Sequence, residues 1–372
     1  MNFIEEFKKG QEGGNKGLPM GEGLSNVSRA INGVQQGRLY GVAASPKAGK
    51  STFSDYAFLL NPYLYSIKNN ISVEWIYYSF ELDRVSKEFD FATFFLYFDF
   101  GIITIDLPSG IKKKKKTFVE LSPDYLRGRM QDDDDNIIKV NTEIKEKLKI
   151  VYEKRIIPLF GEFSNNGVQI KKGVINFIEQ KDNPTGIYKS LKVFAEKNGK
   201  FITQKFGKGI RITGYKPNNP KKYTIIITDH LRKLIPERSF TMKQTVDKFL
   251  EYSVELRNWC QFTFVHIIHL NRSLTDTKRM SLFGDNLFPD SDMVKDTGNM
   301  AEDVDYLFTI FNPNDEKYNL THHFGERIRD KHNNPLFPYR RTVHLVESRH
   351  CEFPQHFKTD MNGGIKSFKL VK

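Results

Sequence analysis

Apolar residues recur along this chain in short, nearly continuous runs separated by polar stretches, several of them long enough for a helix. The runs are "RLYGVAA" (38–44), "VEWIYYSF" (73–80), "YTIIITD" (223–229), "FTFVHII" (262–268) and "DYLFTIF" (305–311). Each has the length of a strand. A strand covered on both faces reads as a continuous run, whereas a half-exposed one alternates apolar and polar residues. Helical patterns lie between several of the runs. In "TVDKFLEYSVELRNWC" (245–260), Val246, Phe249, Leu250 and Leu256 fall near one stripe. Two more strands are predicted near the end, at "TVHLVES" (342–348) and "IKSFKLV" (365–371). This succession predicts an α/β domain with a mostly parallel, doubly wound sheet.

The pattern breaks in two places. Residues 10–23, "GQEGGNKGLPMGEG", read as a flexible linker. Before it, Phe3, Ile4 and Phe7 would form one apolar face of a short helix, which either docks on a neighbouring subunit or frays. In the middle, "KKKKK" (112–116) and "DDDD" (132–135) are charge blocks of the kind found in solvated loops. Residues 161–222, rich in Gly, Asn and Lys, read as an insertion with a β-ribbon at "GKFITQKFGKGIRITGYK" (199–216). The expected organisation is an N-terminal helix and linker over 1–23 and one large domain over 24–372.

Composition narrows the partner class. The 372 residues carry 57 Lys and Arg against 45 Asp and Glu, a net charge of +12. That balance favours a polyanion, nucleic acid before an anionic membrane surface. Cys260 and Cys351 make neither a metal cluster nor a disulfide framework, which suits a reducing interior. The first residues do not resemble a signal peptide and no apolar run approaches membrane-spanning length. A cytoplasmic protein is expected, in the host cytoplasm if the source is viral.

The chemistry concentrates after the first strand. "ASPKAGKS" (44–51) has the form of a phosphate-binding loop, with Ala44 where glycine usually begins it and Pro46 inside it. It follows a predicted strand and precedes a helix, so its backbone N–H groups can cradle phosphates. The nucleotide-binding segment is Ala44, Ser45, Pro46, Lys47, Ala48, Gly49, Lys50, Ser51 and Thr52. Gly49 allows close backbone approach, Lys50 reaches the terminal phosphates of ATP and Ser51 can ligate Mg²⁺. Asp229 ends an apolar strand and places a carboxylate where it can hold Mg²⁺ through water. Glu81 ends the next strand after the loop, at an edge expected to lie beside it, and could position or deprotonate water. It could equally be a helix N-terminal carboxylate. His269 ends another strand and is a candidate contact to the γ-phosphate, or a core-edge histidine with no such role.

Taken in order, these segments resemble the RecA-like motor domain of DnaB-type replicative hexameric helicases. "LSNVSRAINGVQQGRLYGVAASPKAGKSTF" is similar to that family's entry to the motor, where Ala commonly begins the P-loop and Pro commonly lies within it. "YYSFELD" resembles the family's F-S-L-E-M, which puts the water-activating role on Glu81. "IIITDHLRKL" resembles I-V-I-D-Y-L-Q-L and puts the Mg²⁺-associated carboxylate on Asp229. "IIHLNRSL" resembles L-S-Q-L-N-R-S, with His269 at the γ-phosphate sensor, where phage primase-helicases of the superfamily also use histidine. "DMVKDTGNMAEDVDYLF" resembles the loop that grips single-stranded DNA, so Lys295, Asp296 and Gly298, with Arg272 of "LNRS", become DNA-binding candidates. "VHLVESRH" resembles I-I-A-K-Q-R-N and assigns the trans-acting arginine finger to Arg349, while Glu347 replaces the family's lysine. "FKTDMNGGIKSF" resembles the closing strands, a C-terminal β-hairpin.

The resemblance covers residues 24–111 and 223–372. It implies a phage-type protein without the family's N-terminal primase-interacting domain, using ATP and Mg²⁺ in a homo-hexamer on single-stranded DNA at a replication fork, with 5′ to 3′ polarity. A primase or helicase loader would be a further partner, and a membrane none. Two other readings share these features. One is a RecA-like strand-exchange recombinase. The other is a nucleotide-binding structural or loader-interacting protein with degraded ATPase chemistry, which Glu347 favours.

Overall fold

The computed structural model describes residues 16–107, 117–164, 166–207, 209–294 and 300–371, with Ile4 and Gln11, apart from the side chains of Arg272 and Ser273. Its centre is a nine-stranded sheet. In chain order the strands are β1 (Leu39–Ala44), β2 (Val73–Ser79), β3 (Ile175–Ile178), β4 (Tyr223–Asp229), β5 (Thr263–His269), β6 (Tyr306–Phe311), β7 (Arg340–Ser348), β8 (Gln355–Asn362) and β9 (Ser367–Leu370). In space the order is β9-β8-β7-β6-β1-β5-β4-β2-β3. The run from β6 to β3 is parallel, and β7, β8 and β9 are added antiparallel. The sheet is therefore the mostly parallel RecA-like one, and β8 and β9 form its closing hairpin.

The continuous apolar runs are explained by burial on both faces. Along β1, Tyr40, Val42 and Ala44 enter one core and Leu39 and Ala43 the other. Along β4, Ile225 and Ile227 face the first core and Ile226 the second. The period-2 alternation of a strand is present, but both sides are apolar. Helix Met242–Cys260 covers the second face, with Val246, Phe249, Leu250 and Leu256 all buried. Its start is fixed by a capping box in which Thr241 and Gln244 satisfy each other's backbone N–H groups. No described helix is long and apolar enough to cross a membrane.

Part of the stretch 161–222 belongs to this framework. Ile175–Ile178 pairs with β2 as the sheet's edge strand. Helix Pro184–Asn198 buries Ile187, Leu191 and Ala195 in the second core and stacks Tyr188 on Tyr252. What stands off the sheet is a two-stranded ribbon, Gly199–Phe206 with Gly209–Pro217, at the place the sequence predicts, and a small pair, Gly161–Phe163 with Gln169–Lys172.

Polar groups inside the cores are paired. Lys87, on helix Arg84–Phe100, points its ammonium at Asp55 Oδ2 (2.6 Å), and Tyr77 donates its hydroxyl to Asp55 Oδ1 (2.9 Å). Burial opposes the charge on Lys87, but Asp55 and Asp229 beside it hold the ammonium above the usual lysine range. Removing one partner of such a pair leaves a bare buried charge and costs about 3–5 kcal/mol. Lys87→Met should lose that much stability in urea unfolding, and a loss under about 1 kcal/mol would contradict the pairing.

Several histidines are buried neutral. Burial pushes His266 down to about 3 and, with smaller contributions, His323 down to about 4. Histidine in the unfolded chain titrates near 6.5, so between these values the unfolded state binds more protons. Stability should therefore fall as pH drops below about 6.5, and keep falling toward about 3–4. Urea midpoints at pH 7 and pH 5 should differ more for the native chain than for His266→Gln. Equal differences would refute the contribution of His266.

Candidate active site

The P-loop follows β1 directly, and its backbone has the strained shape a cradle needs. Lys47 (φ 63°) and Gly49 (φ 105°) both lie at positive φ. A Cβ on Gly49 would sit 2.3 Å from Met361 Sδ of the closing hairpin, so the position needs glycine for packing as well as for conformation. Helix Lys50–Asp55 begins at once and continues through a π-turn, Tyr56–Leu60, into Asn61–Asn69. Ala44 and Ala48 are buried, and Ser45 Oγ lies 3.3 Å from the hydroxyl of Tyr318. Lys50 and Ser51 are thus presented on the first turn of a helix at the C-terminal edge of the parallel strands.

Three strand ends converge on that edge. Ala44 of β1 is in register with His269 of β5, and Asp229 of β4 with Ile267 of β5. Glu81 arrives differently from the expectation. Its strand, β2, is not adjacent to β1 in the sheet, because β5 and β4 lie between them. Strands sit about 4.8 Å apart, so the gap is roughly 14 Å. It is closed by the turn after β2: Phe80 N–H donates to Asp229 O (2.8 Å), and Glu81 reaches back along the sheet edge. Glu81 Oε2 lies 3.7 Å from Lys50 Nζ. The alternative helix-capping role belongs to another residue. Asp83 is the N-cap of helix Arg84–Phe100, accepting from Ser86 N (2.7 Å).

His230 completes the cluster and was not singled out by its sequence. Its Nε2 lies 3.0 Å from Glu81 Oε1, and its ring meets His269 edge-on at 4.6 Å. The available signal was the histidine after Asp229, where the helicase pattern has tyrosine. Burial opposes the charge on Glu81, yet Lys50, His230 and His269 hold its carboxyl below the ordinary range. Burial, ahead of a counteracting Glu81, pushes His230 down to about 4, and burial with Lys50 lowers His269. At neutral pH the cluster is a carboxylate flanked by one ammonium and two neutral imidazoles.

Asp229 is buried (3% exposed) and its Oδ1 has no hydrogen-bond partner. An orphaned buried carboxylate oxygen beside a P-loop suits a hard cation, because leaving it bare is costly. Glu81, His230 and His269 could also gather round a metal, their ligand atoms lying within 4.8 Å of one another. Two imidazoles are poor ligands for Mg²⁺, which prefers oxygen, so the Mg²⁺ position fits Ser51 and Asp229 instead.

Arg349 lies elsewhere. It is exposed just beyond β7, and its guanidinium contacts the carbonyl of Glu302. Ser348 is in register with Tyr306, and Tyr306 with Tyr40, at the start of β1 rather than its end. Asp305 anchors this corner. It accepts from Leu39 N–H (2.8 Å) and Arg257 (2.9 Å), meets His350 Nε2 at 2.9 Å, and its carbonyl receives Arg349 N–H (3.1 Å). Lys295, Asp296 and Gly298 lie outside the described residues, as do the side chain of Arg272 and both Phe3 and Phe7. Ile4 is exposed. The segment leading toward Lys295 is tied to the site, since Asn271 N–H, two residues after His269, donates to Met293 O (3.1 Å).

No family model and no curated protein matches this sequence. Solved structures do. One, the ATPase domain of a DnaB-like replicative helicase, superimposes with a TM-score of 0.61 at 12% identity, over 99% of this chain and 97% of that one. A second DnaB-like replicative helicase, described with its interactions with primase, gives 0.62 at 12% identity over 99% of this chain and 66% of that one. At such identity the likeness establishes the fold: the chain has the ATPase-domain architecture of DnaB-like helicases along its whole length.

Proposed function

We propose that this chain is an ATP-driven DNA helicase motor that hydrolyses ATP between the subunits of a ring and translocates on single-stranded DNA in replication. The observation that carries the reading is the convergence of Lys50, Glu81, Asp229 and His269 on one sheet edge from four separate segments. A structural nucleotide-binding protein would need the P-loop and no carboxylate aimed at Lys50. Ser51 and Asp229 would hold Mg²⁺, which when bound would neutralise charge on the phosphate oxygens. Lys50 exchanges Glu81 for the terminal phosphates. That leaves Glu81 ionised, held by His230 and free to accept a proton from water.

His269 would report loss of the γ-phosphate through Asn271 and Met293 to the loop containing Lys295, Asp296 and Gly298, with Arg272 beside it. Those residues are proposed to contact the strand, and Arg349 to act on a neighbour's nucleotide. The polarity implied by the helicase resemblance is 5′ to 3′. A strand-displacement assay on a forked substrate tests the whole. ATP-dependent unwinding by the native protein, absent in Lys50→Ala, is expected; no unwinding by either would sink the reading.

His230 acts by positioning. A hydrogen bond to a charged partner is worth about 1.5–3 kcal/mol. His230→Phe should therefore lower the turnover number about tenfold to a hundredfold, while the KM for ATP stays within about threefold. An unchanged turnover number would remove His230 from the machinery.

A further inference from the structure

The ribbon Gly199–Phe206/Gly209–Pro217 carries an arrangement that its own stability does not explain. Between Glu196 and Asp229 the sequence has no carboxylate side chain, while lysine and arginine recur. Lys200 is directly opposite Lys216 across the two strands, and Arg211 lies farther along the same face, opposite Gln204. Like charges facing each other across a strand pair are destabilising. No acidic group within ion-pair distance relieves Lys200, Lys205, Arg211 or Lys216 among the described residues. On the same face Ile202 (52% exposed) and Phe206 (74%) stand in solvent, and Ile210 (75%) does so on the other.

The ribbon is nonetheless firmly rooted. Phe201 and Tyr215 pair on its inner face, Phe201 packs edge-on against Trp259, and Tyr215 donates its hydroxyl to Ala195 O (2.8 Å). It leaves the sheet where β4 begins, at the opposite end from Lys50 and Glu81. A rooted ribbon with an uncompensated cationic face and apolar tips is built to meet something polyanionic.

We propose that this ribbon is an arm that binds duplex DNA, laying its Lys200–Lys216–Arg211 face into a groove. Nine residues span about 30 Å, and a two-stranded ribbon is one of the two elements that the roughly 12 Å-wide major groove admits. The cations meet phosphates, and Ile202 and Phe206 contact base edges or methyl groups. Single-stranded DNA is normally enclosed by a groove with stacking platforms, whereas this element is convex and projects. The proposal stands on charge and geometry, independently of whether the chain hydrolyses ATP.

The test uses the full chain without nucleotide. Binding of a fluorescein-labelled blunt duplex is followed by anisotropy over a salt series, for the native protein, for K200Q/K205Q/R211Q/K216Q and for K200R/K205R/K216R. Each phosphate contact contributes about 0.9 to the slope of log K against log salt. The glutamine variant should lose at least about tenfold in duplex affinity at low salt and about 2–4 in slope. The arginine variant should retain both, and single-strand affinity should fall by less than about threefold. Unchanged duplex affinity and slope would overturn the proposal. So would an equal loss for single-stranded DNA. A drop in oligomer mass with duplex binding intact would also overturn it, assigning the ribbon to a protein contact.

Discussion

Glu81→Gln should reduce ATP turnover by about 10²–10⁴-fold, the range general-base catalysis supplies, while nucleotide binding is kept or tightened. The substitution is nearly isosteric. Glutamine Oε1 can still accept from His230 Nε2, which lies 3.0 Å from the carboxylate now, so the turn after β2 need not move. What is lost is a basic oxygen and a negative charge. The charge matters for binding as well, because Glu81 holds Lys50 at 3.7 Å in the nucleotide-free protein. Releasing Lys50 removes a competitor for the phosphates. Lys50→Ala should instead weaken both binding and turnover. Nucleotide affinity from a fluorescent ADP analogue and turnover from phosphate release separate the two cases. Turnover within about threefold of native in Glu81→Gln would exclude Glu81 as the base and return it to a structural role.

How much of this was legible beforehand differs by element. The strands of the parallel core could be read because burial on both faces leaves no polar residue to interrupt them, as in "YTIIITD". Edge strand Ile175–Ile178 could not, since "INFI" is too short to carry a pattern and only Ile175 is fully buried. Helix Pro184–Asn198 was hidden by the same polar composition that makes the adjoining ribbon conspicuous. Within the site, Lys50, Ser51 and Asp229 were legible because each sits at a fixed offset from a strand end. Glu81 was found for a reason that proved incomplete. Succession in sequence did not make β2 a neighbour of β1, and a turn anchored on Asp229 O brings its side chain across. His230 and the Lys87–Asp55 pair are three-dimensional facts. Nothing in the spacing of residues 55 and 87 announces a buried ion pair.

Arg349→Ala should lower turnover by about 10³–10⁵-fold, or roughly 4–7 kcal/mol of barrier, if the side chain serves a neighbour's nucleotide. The geometry within one chain makes a cis role untenable. Ser348 is in register with Tyr306 and Tyr306 with Tyr40, whereas the P-loop begins after Ala44. Four residues at about 3.3 Å each, with two strand spacings besides, put the guanidinium more than about 15 Å from its own Lys50. An exposed arginine so placed can only act on a second copy. The decisive experiment mixes two inactive proteins. Lys50→Ala keeps the finger and loses its own site; Arg349→Ala keeps the site and loses the finger. Reassembled together, some interfaces pair an intact P-loop with an intact Arg349, and activity should reappear that neither protein has alone. No recovery in mixed oligomers, or near-native turnover by Arg349→Ala itself, would refute the composite site. The same mixture tests Glu347. It places a negative charge two residues from Arg349, so Glu347→Lys should raise turnover at composite interfaces, and a fall would mean that this chain has adapted its interface to the carboxylate.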